Sequence, residues 1–168
     1  HVDAHRSFLR HHHRSVMEIW FYHLTRQPLE RTLPVLLERS LARGWKAVVQ
    51  ARTDERVQSL DEFLWTYSEE SFLGHGTAAD GDGELQHVYL TTGAENPNGS
   101  QVRFFIEGAQ VAPVIDAGGA YERIILIFDG NNDEELAAAR AQWKVLKEKS
   151  LELSYWQQNE AGGWEKKA

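Results

Sequence analysis

Residues 121–150 read YERIILIFDGNNDEELAAARAQWKVLKEKS. Ile124, Ile125, Leu126, Ile127 and Phe128 form an apolar run without alternation, the pattern of a central strand buried on both faces. The run ends at Asp129-Gly130-Asn131-Asn132, residues that suit a tight turn and can cap a helix through a side-chain oxygen. Asp133, Glu134 and Glu135 then oppose the positive end of a helix dipole, while Lys144, Lys147 and Lys149 fall near its negative end. Leu136, Ala139, Trp143 and Leu146 recur at i, i+3, i+7 and i+10, so the helix lays one apolar stripe on the sheet. A buried strand feeding directly into an amphipathic helix predicts an α/β fold.

Working outward, Glu18 to Leu24 (EIWFYHL) is rich in aromatic and β-branched residues and predicts a first strand. Thr25-Arg26-Gln27-Pro28 breaks it, and Leu29, Leu33, Leu36, Leu37 and Leu41 follow with helical spacing up to Gly44. Pro34 inside that pattern points to a helix start later than Leu29. Residues 45–51 predict a second strand, and a βαβ unit is the economical way to join the two. Val57, Leu60, Phe63 and Leu64 mark a helix over residues 52–68, followed by Trp65, Tyr67 and Phe72. Residues 74–86 and 91–100 read as polar loops, with strands predicted over 87–90, 101–106 and 151–157. Residues 108–120 read as irregular and residues 159–168 as a polar tail.

The 168 residues, 42% hydrophobic and without cysteine, suit one domain over residues 17–168 with a proper core. No disulfide, thiolate metal site or cysteine nucleophile is available, and no apolar run approaches a membrane span, so a soluble cytoplasmic protein is expected. Residues 1–16 hold five of the eight histidines and precede the sole methionine, Met17, so they read as a leader outside the fold. Within them Asp3 is outweighed by Arg6, Arg10 and Arg14, which leaves −9 on the remainder of a chain whose net charge is −7. A body this acidic repels phosphate backbones, so any work on DNA is expected to run through other proteins.

No catalytic constellation emerges. His23, His75 and His87 lack metal-ligand spacing, no serine elbow is present, and the turn after the first strand has no glycines to take a pyrophosphate. No cofactor is implied. Two candidate surfaces remain. Arg140, Lys144 and Lys147 form a basic stripe beside Trp143 on the helix, either plain dipole complementation with a core tryptophan, or a socket for an acidic peptide with an aromatic end. Trp65 and Phe72 either seal a helix end or form an aromatic patch for a partner subunit.

With Phe21-Tyr22-His23-Leu24, the block Leu60-Asp61-Glu62-Phe63-Leu64-Trp65 followed by Glu70-Ser71-Phe72-Leu73-Gly74-His75, and Ala139-Arg140 before Trp143-Lys144, the chain from Met17 onward resembles the chi subunit family of bacterial DNA polymerase III. Asn96-Pro97-Asn98-Gly99 and the closing Tyr155-Trp156-Gln157-Gln158 look like its alphaproteobacterial branch. The resemblance implies a three-layer α/β/α sandwich with a mainly parallel, mixed sheet, Rossmann-like without a nucleotide site. It implies a noncatalytic accessory of the replicase that links the clamp loader, through the psi subunit, to the acidic C-terminal tail of single-stranded-DNA-binding protein. The family's tail-binding arginine falls on Arg140 and an aromatic on Trp143, with Lys144 and Lys147 nearby; the psi-facing aromatics fall on Trp65 and Phe72. Better-studied members carry a further basic residue where this chain has Leu136, which implies weaker tail binding or reliance on Lys144 and Lys147. Trp65 and Phe72 could equally face another clamp-loader or helicase partner, or the core. The alternative function is a small nucleotide- or metal-dependent enzyme on the same scaffold.

Overall fold

The structure, a computed structural model, describes residues 17–71, 75–77, 83 and 86–168. The leader over residues 1–16, and Phe72 with it, lie outside the described residues. Eight strands form one sheet in the order β3-β4-β2-β5-β6-β1-β7-β8. They are β1 (Glu18–Leu24), β2 (Ala47–Gln50), β3 (His75–Thr77), β4 (Val88–Thr91), β5 (Val102–Ile106), β6 (Arg123–Asp129), β7 (Glu152–Gln158) and β8 (Trp164–Lys166). All neighbours run parallel except β7 and β8. Four helices complete the described residues: α1 (Leu29–Ala42), α2 (Asp54–Ser71), α3 (Ala112–Asp116) and α4 (Asp133–Glu148).

The β6 run explains the layering. Ile125 and Ile127 point into a core shared with Leu33, Leu36 and Leu37 of α1 and Leu60 and Leu64 of α2. Ile124, Leu126 and Phe128 point the other way, into a core with Val114 of α3 and Ala139 and Leu146 of α4. A strand with apolar side chains on both faces needs a helix layer on each, so the absence of alternation in the sequence specifies the three-layer sandwich. The α4 cap forms as the turn residues predict. Asn132 accepts a hydrogen bond from the Glu135 backbone N–H at 3.0 Å, and Glu135 Oε1 accepts one from the Asp129 N–H at 2.9 Å.

Several local expectations are corrected by tertiary context. Helix α1 starts at Leu29 despite Pro34, which is buried within it; burial of the apolar face outweighs the one backbone hydrogen bond that proline removes. The expected βαβ connection does form, with β1 and β2 parallel in one sheet and joined through α1, but β5 and β6 lie between them. Strand β5, which reads as alternating, is buried at every residue, and the polarity at Arg103 is hidden in hydrogen bonds. The loop over 74–86 contains β3, paired with β4. The stretch over 108–120 contains α3, and the polar tail folds back as β8 against Trp156–Gln158. Both are short elements of three to five residues, so local periodicity carries little trace of them.

Candidate functional site

The α4 stripe does not lie flat on the sheet. Between it and the carboxyl-terminal halves of β6, β1 and β7 runs a groove of about 380 Å³, lined by Phe21, His23, Phe128, Leu136, Ala139, Arg140, Trp143 and Tyr155. Its lining is almost wholly apolar, and the period-2 alternation of three neighbouring strands builds its floor. In the sheet register Phe21 lies opposite Leu126 and Tyr155, and His23 lies opposite Phe128, so all of these side chains share the α4 face. Trp143 forms one wall, half-buried, its ring edge-on to Phe21 at 5.1 Å and 77° and to Tyr155 at 6.5 Å and 75°. Arg140 stands exposed at the rim one turn away, and Lys147 Nζ lies 6.0 Å from the Trp143 ring.

Among the described residues Arg140, Lys144 and Lys147 make no ion pair, whereas Lys149 is tied to Asp116 at 2.9 Å. An unpaired guanidinium over an apolar trough can take a carboxylate bidentately while the trough takes an apolar or aromatic side chain. Lys144 is exposed beyond Arg140 and does not line the groove. Leu136, one turn before Arg140, does line it and adds to its apolar wall.

Two floor residues were not singled out as site residues from the sequence. His23 Nδ1 and the Tyr155 hydroxyl share a hydrogen bond of 2.5 Å across a separation of 132 residues. The imidazole also stacks on Phe128 at 4.8 Å and on Tyr155 at 5.9 Å. Burial lowers the His23 pKa below its ordinary value; Asp129 opposes that shift and Arg140 adds to it. Burial raises the pKa of Tyr155, with Lys167 and Arg140 pulling the other way. Gly130 completes the floor, since a Cβ there would fall inside contact distance of His23 Nε2. The signal available in the sequence was the FYHL opening, which contains both Phe21 and His23.

The crevice at the carboxyl ends of β1 and β6, where the chain leaves toward opposite helix layers, is where related α/β sheets bind nucleotides. Here it is lined by Glu30, Glu107, Asp129 and Glu135 among others. The Glu135 pKa is raised by burial and by its neighbours Glu107 and Asp129, although the Asp129 N–H lowers it. Arg56 is already committed to Glu107 at 2.7 Å and to Glu30 at 2.8 Å. The three successive N–H groups that could cradle an anion, those of Thr25, Arg26 and Gln27, converge on Gln158 Oε1 at 3.5, 3.3 and 3.2 Å. The nest is filled by the protein's own amide, and carboxylates surround it, so these residues do not suit a phosphate. No group of three or more His, Asp or Glu side chains is placed to hold a metal ion among the described residues.

Trp65 is 59% exposed on α2, on the opposite side of the sheet from Arg140. The two surfaces expected from the sequence are therefore separate, with the sheet between them. No helix among the described residues is long and apolar enough to cross a membrane.

The family model described as DNA polymerase III chi subunit, HolC, matches residues 16–154. A Rickettsia prowazekii (strain Madrid E) protein called "Probable DNA polymerase III subunit chi" is 27% identical over 111 residues, covering 64% of this chain and 67% of the relative. With the family model matched over most of its length, the chain belongs to the DNA polymerase III chi subunit family.

Proposed function

We propose that this protein is a noncatalytic accessory subunit of the DNA polymerase III holoenzyme, working in the bacterial cytoplasm, that grips the acidic C-terminal tail of single-stranded-DNA-binding protein and ties it to the clamp loader. The observation that carries this reading is the pairing of an unengaged Arg140 with the apolar groove walled by Trp143. Arg140 takes the terminal carboxylate, the groove takes the terminal aromatic side chain, and Lys147 and the more distant Lys144 attract the acidic residues upstream. The cations stand on an otherwise acidic chain, so they steer a short peptide without drawing in a long polyanion. Trp65 is the proposed contact for the second partner, the psi subunit or another clamp-loader or helicase protein, with Phe72 as its companion in sequence. Opposite placement on the sheet lets both contacts be made at once, as a tether requires.

A contact of this size is expected at micromolar strength, about −8 kcal/mol. Titration with a fluorescent acidic peptide ending in Ile-Pro-Phe tests it. Arg140→Ala and an amidated peptide should each weaken binding at least tenfold, and added salt should weaken it further. Failure to bind at low salt, or an amidated peptide that binds equally well, overturns the reading.

A further inference from the structure

Among the described residues, no helix covers the α1-side face of the β7–β8 edge. The crossover from β1 runs through α1 toward β2 and away from β7, while the crossover from β6 to β7 runs through α4 on the opposite layer. Strands of a parallel sheet are normally covered on both faces, and an uncovered one is expected to turn polar. This one does not. Trp20 of β1, Trp156 of β7 and Trp164 of β8 all lie half-buried on the α1 side, packed against the edge of that core. Trp20 lies 5.0 Å from Trp156, and Trp164 stacks on Tyr22 at 4.2 Å and 28°, so the rings form one continuous shelf.

Cations are interleaved with the rings. The Arg123 guanidinium lies 3.9 Å from the Trp20 ring and 5.2 Å from that of Trp45, which extends the shelf, and the Arg43 guanidinium lies 4.0 Å over Trp45. Arg39 is exposed in the last turn of α1, four residues before Arg43, so helical period puts the two cations on the same side of the helix. Lys166 is paired with Trp156 across the β7–β8 ladder and so shares its face. Arg39, Arg43 and Lys166 make no ion pair among the described residues. Of the carboxylates that strand alternation puts on this face, Glu18 is engaged by Arg123 at 3.0 Å, leaving Glu152 at the start of β7.

We propose that this shelf binds single-stranded nucleic acid, a few bases stacking on the indoles while Arg39, Arg43 and Lys166 meet the flanking phosphates. Indole rings and the guanidinium planes lying over them are flat, polarisable surfaces that match the π-faces of unpaired bases, which an acidic peptide does not offer. The net charge of −7 works against long-range attraction to a polyanion, so the contact is short and needs both base stacking and the local phosphate contacts. The shelf lies across the sheet from the Arg140 groove and stands or falls independently of it.

The test is fluorescence anisotropy of the full chain with a labelled oligothymidylate of about twelve nucleotides, within the usual range of single-strand sites. Binding is expected in low salt, with a logarithmic salt slope of about −2, from three phosphate contacts at roughly 0.7 each. An abasic strand of equal length and a duplex should each bind about tenfold more weakly, because neither presents free base faces. Arg39→Glu with Lys166→Glu should abolish the interaction while Arg140→Ala leaves it unchanged. Trp156→Phe, which keeps the strand filled, should weaken it measurably. Equal affinity for the abasic strand, persistence of binding in the double charge reversal, loss in Arg140→Ala, or displacement by an acidic peptide without bases would each overturn the proposal.

Discussion

Replacing Gly130 by alanine tests the packing that shapes the groove floor. Gly130 has no positive φ, so alanine suits the backbone there and any penalty comes from the new methyl group. That methyl would overlap the His23 imidazole, which cannot simply swing aside because it is stacked on Phe128 at 4.8 Å and on Tyr155 at 5.9 Å. Forcing a methyl into such a contact costs about 1–3 kcal/mol. Losing the His23–Tyr155 hydrogen bond adds about 1 kcal/mol. The reduced entropy of the unfolded chain returns about 0.4–1 kcal/mol. The net destabilisation is about 2 kcal/mol, or about 4–8 °C in Tm for a chain of this length. Urea denaturation of Gly130→Ala should show it as a lower midpoint with an unchanged slope. In a His23→Ala background the same substitution should be neutral or slightly stabilising, since the obstructing ring is gone. An equal loss in both backgrounds, or no loss with His23 present, would refute the collision as the cause.

Three further outcomes are expected. The unfolded chain protonates His23 more readily than the folded one, so the stability from its neutral form is complete above about pH 6.5 and is lost as pH falls toward the depressed folded value; between about pH 7.5 and 5.5, denaturation of His23→Gln should show a smaller loss than that of the wild type. Gln158→Ala should cost about 1–3 kcal/mol by leaving the Thr25, Arg26 and Gln27 N–H groups without their shared acceptor, read as faster amide exchange at those three residues. Arg103→Leu should cost about 1–3 kcal/mol for each buried acceptor it leaves unsatisfied, because the fully buried guanidinium donates to Gln50 Oε1 and to the Gly93 and Glu95 carbonyls and meets Tyr121, and limited proteolysis should then cut within residues 92–100.

The groove was partly legible in the sequence. Arg140 and Trp143 lie three residues apart on one helix, so helical period alone places them together. Phe21, His23, Phe128 and Tyr155 join them only because β1 sits between β6 and β7 in the folded sheet. The same holds for Gln158, whose amide fills the turn after β1 from the far end of the chain. The aromatic shelf was less visible still. Trp156 reads as part of an ordinary strand and Trp164 as part of a polar tail, and only the pairing of β8 with β7 brings Trp164 onto Tyr22.

What the sequence determined by itself is the fold class and the identity of its main elements. Unbroken apolar runs, 3.6-residue stripes and capping residues are short-range signals, and β6 with α4 formed where they pointed. The tertiary structure alone decided strand order, the short strands β3 and β8, the floor of the groove and the bare edge beyond β1. Strand order and the groove floor depend on which crossovers run on which side of the sheet and on contacts between residues more than a hundred positions apart, such as His23 and Tyr155, while β3 and β8 are three-residue strands too short to carry a period.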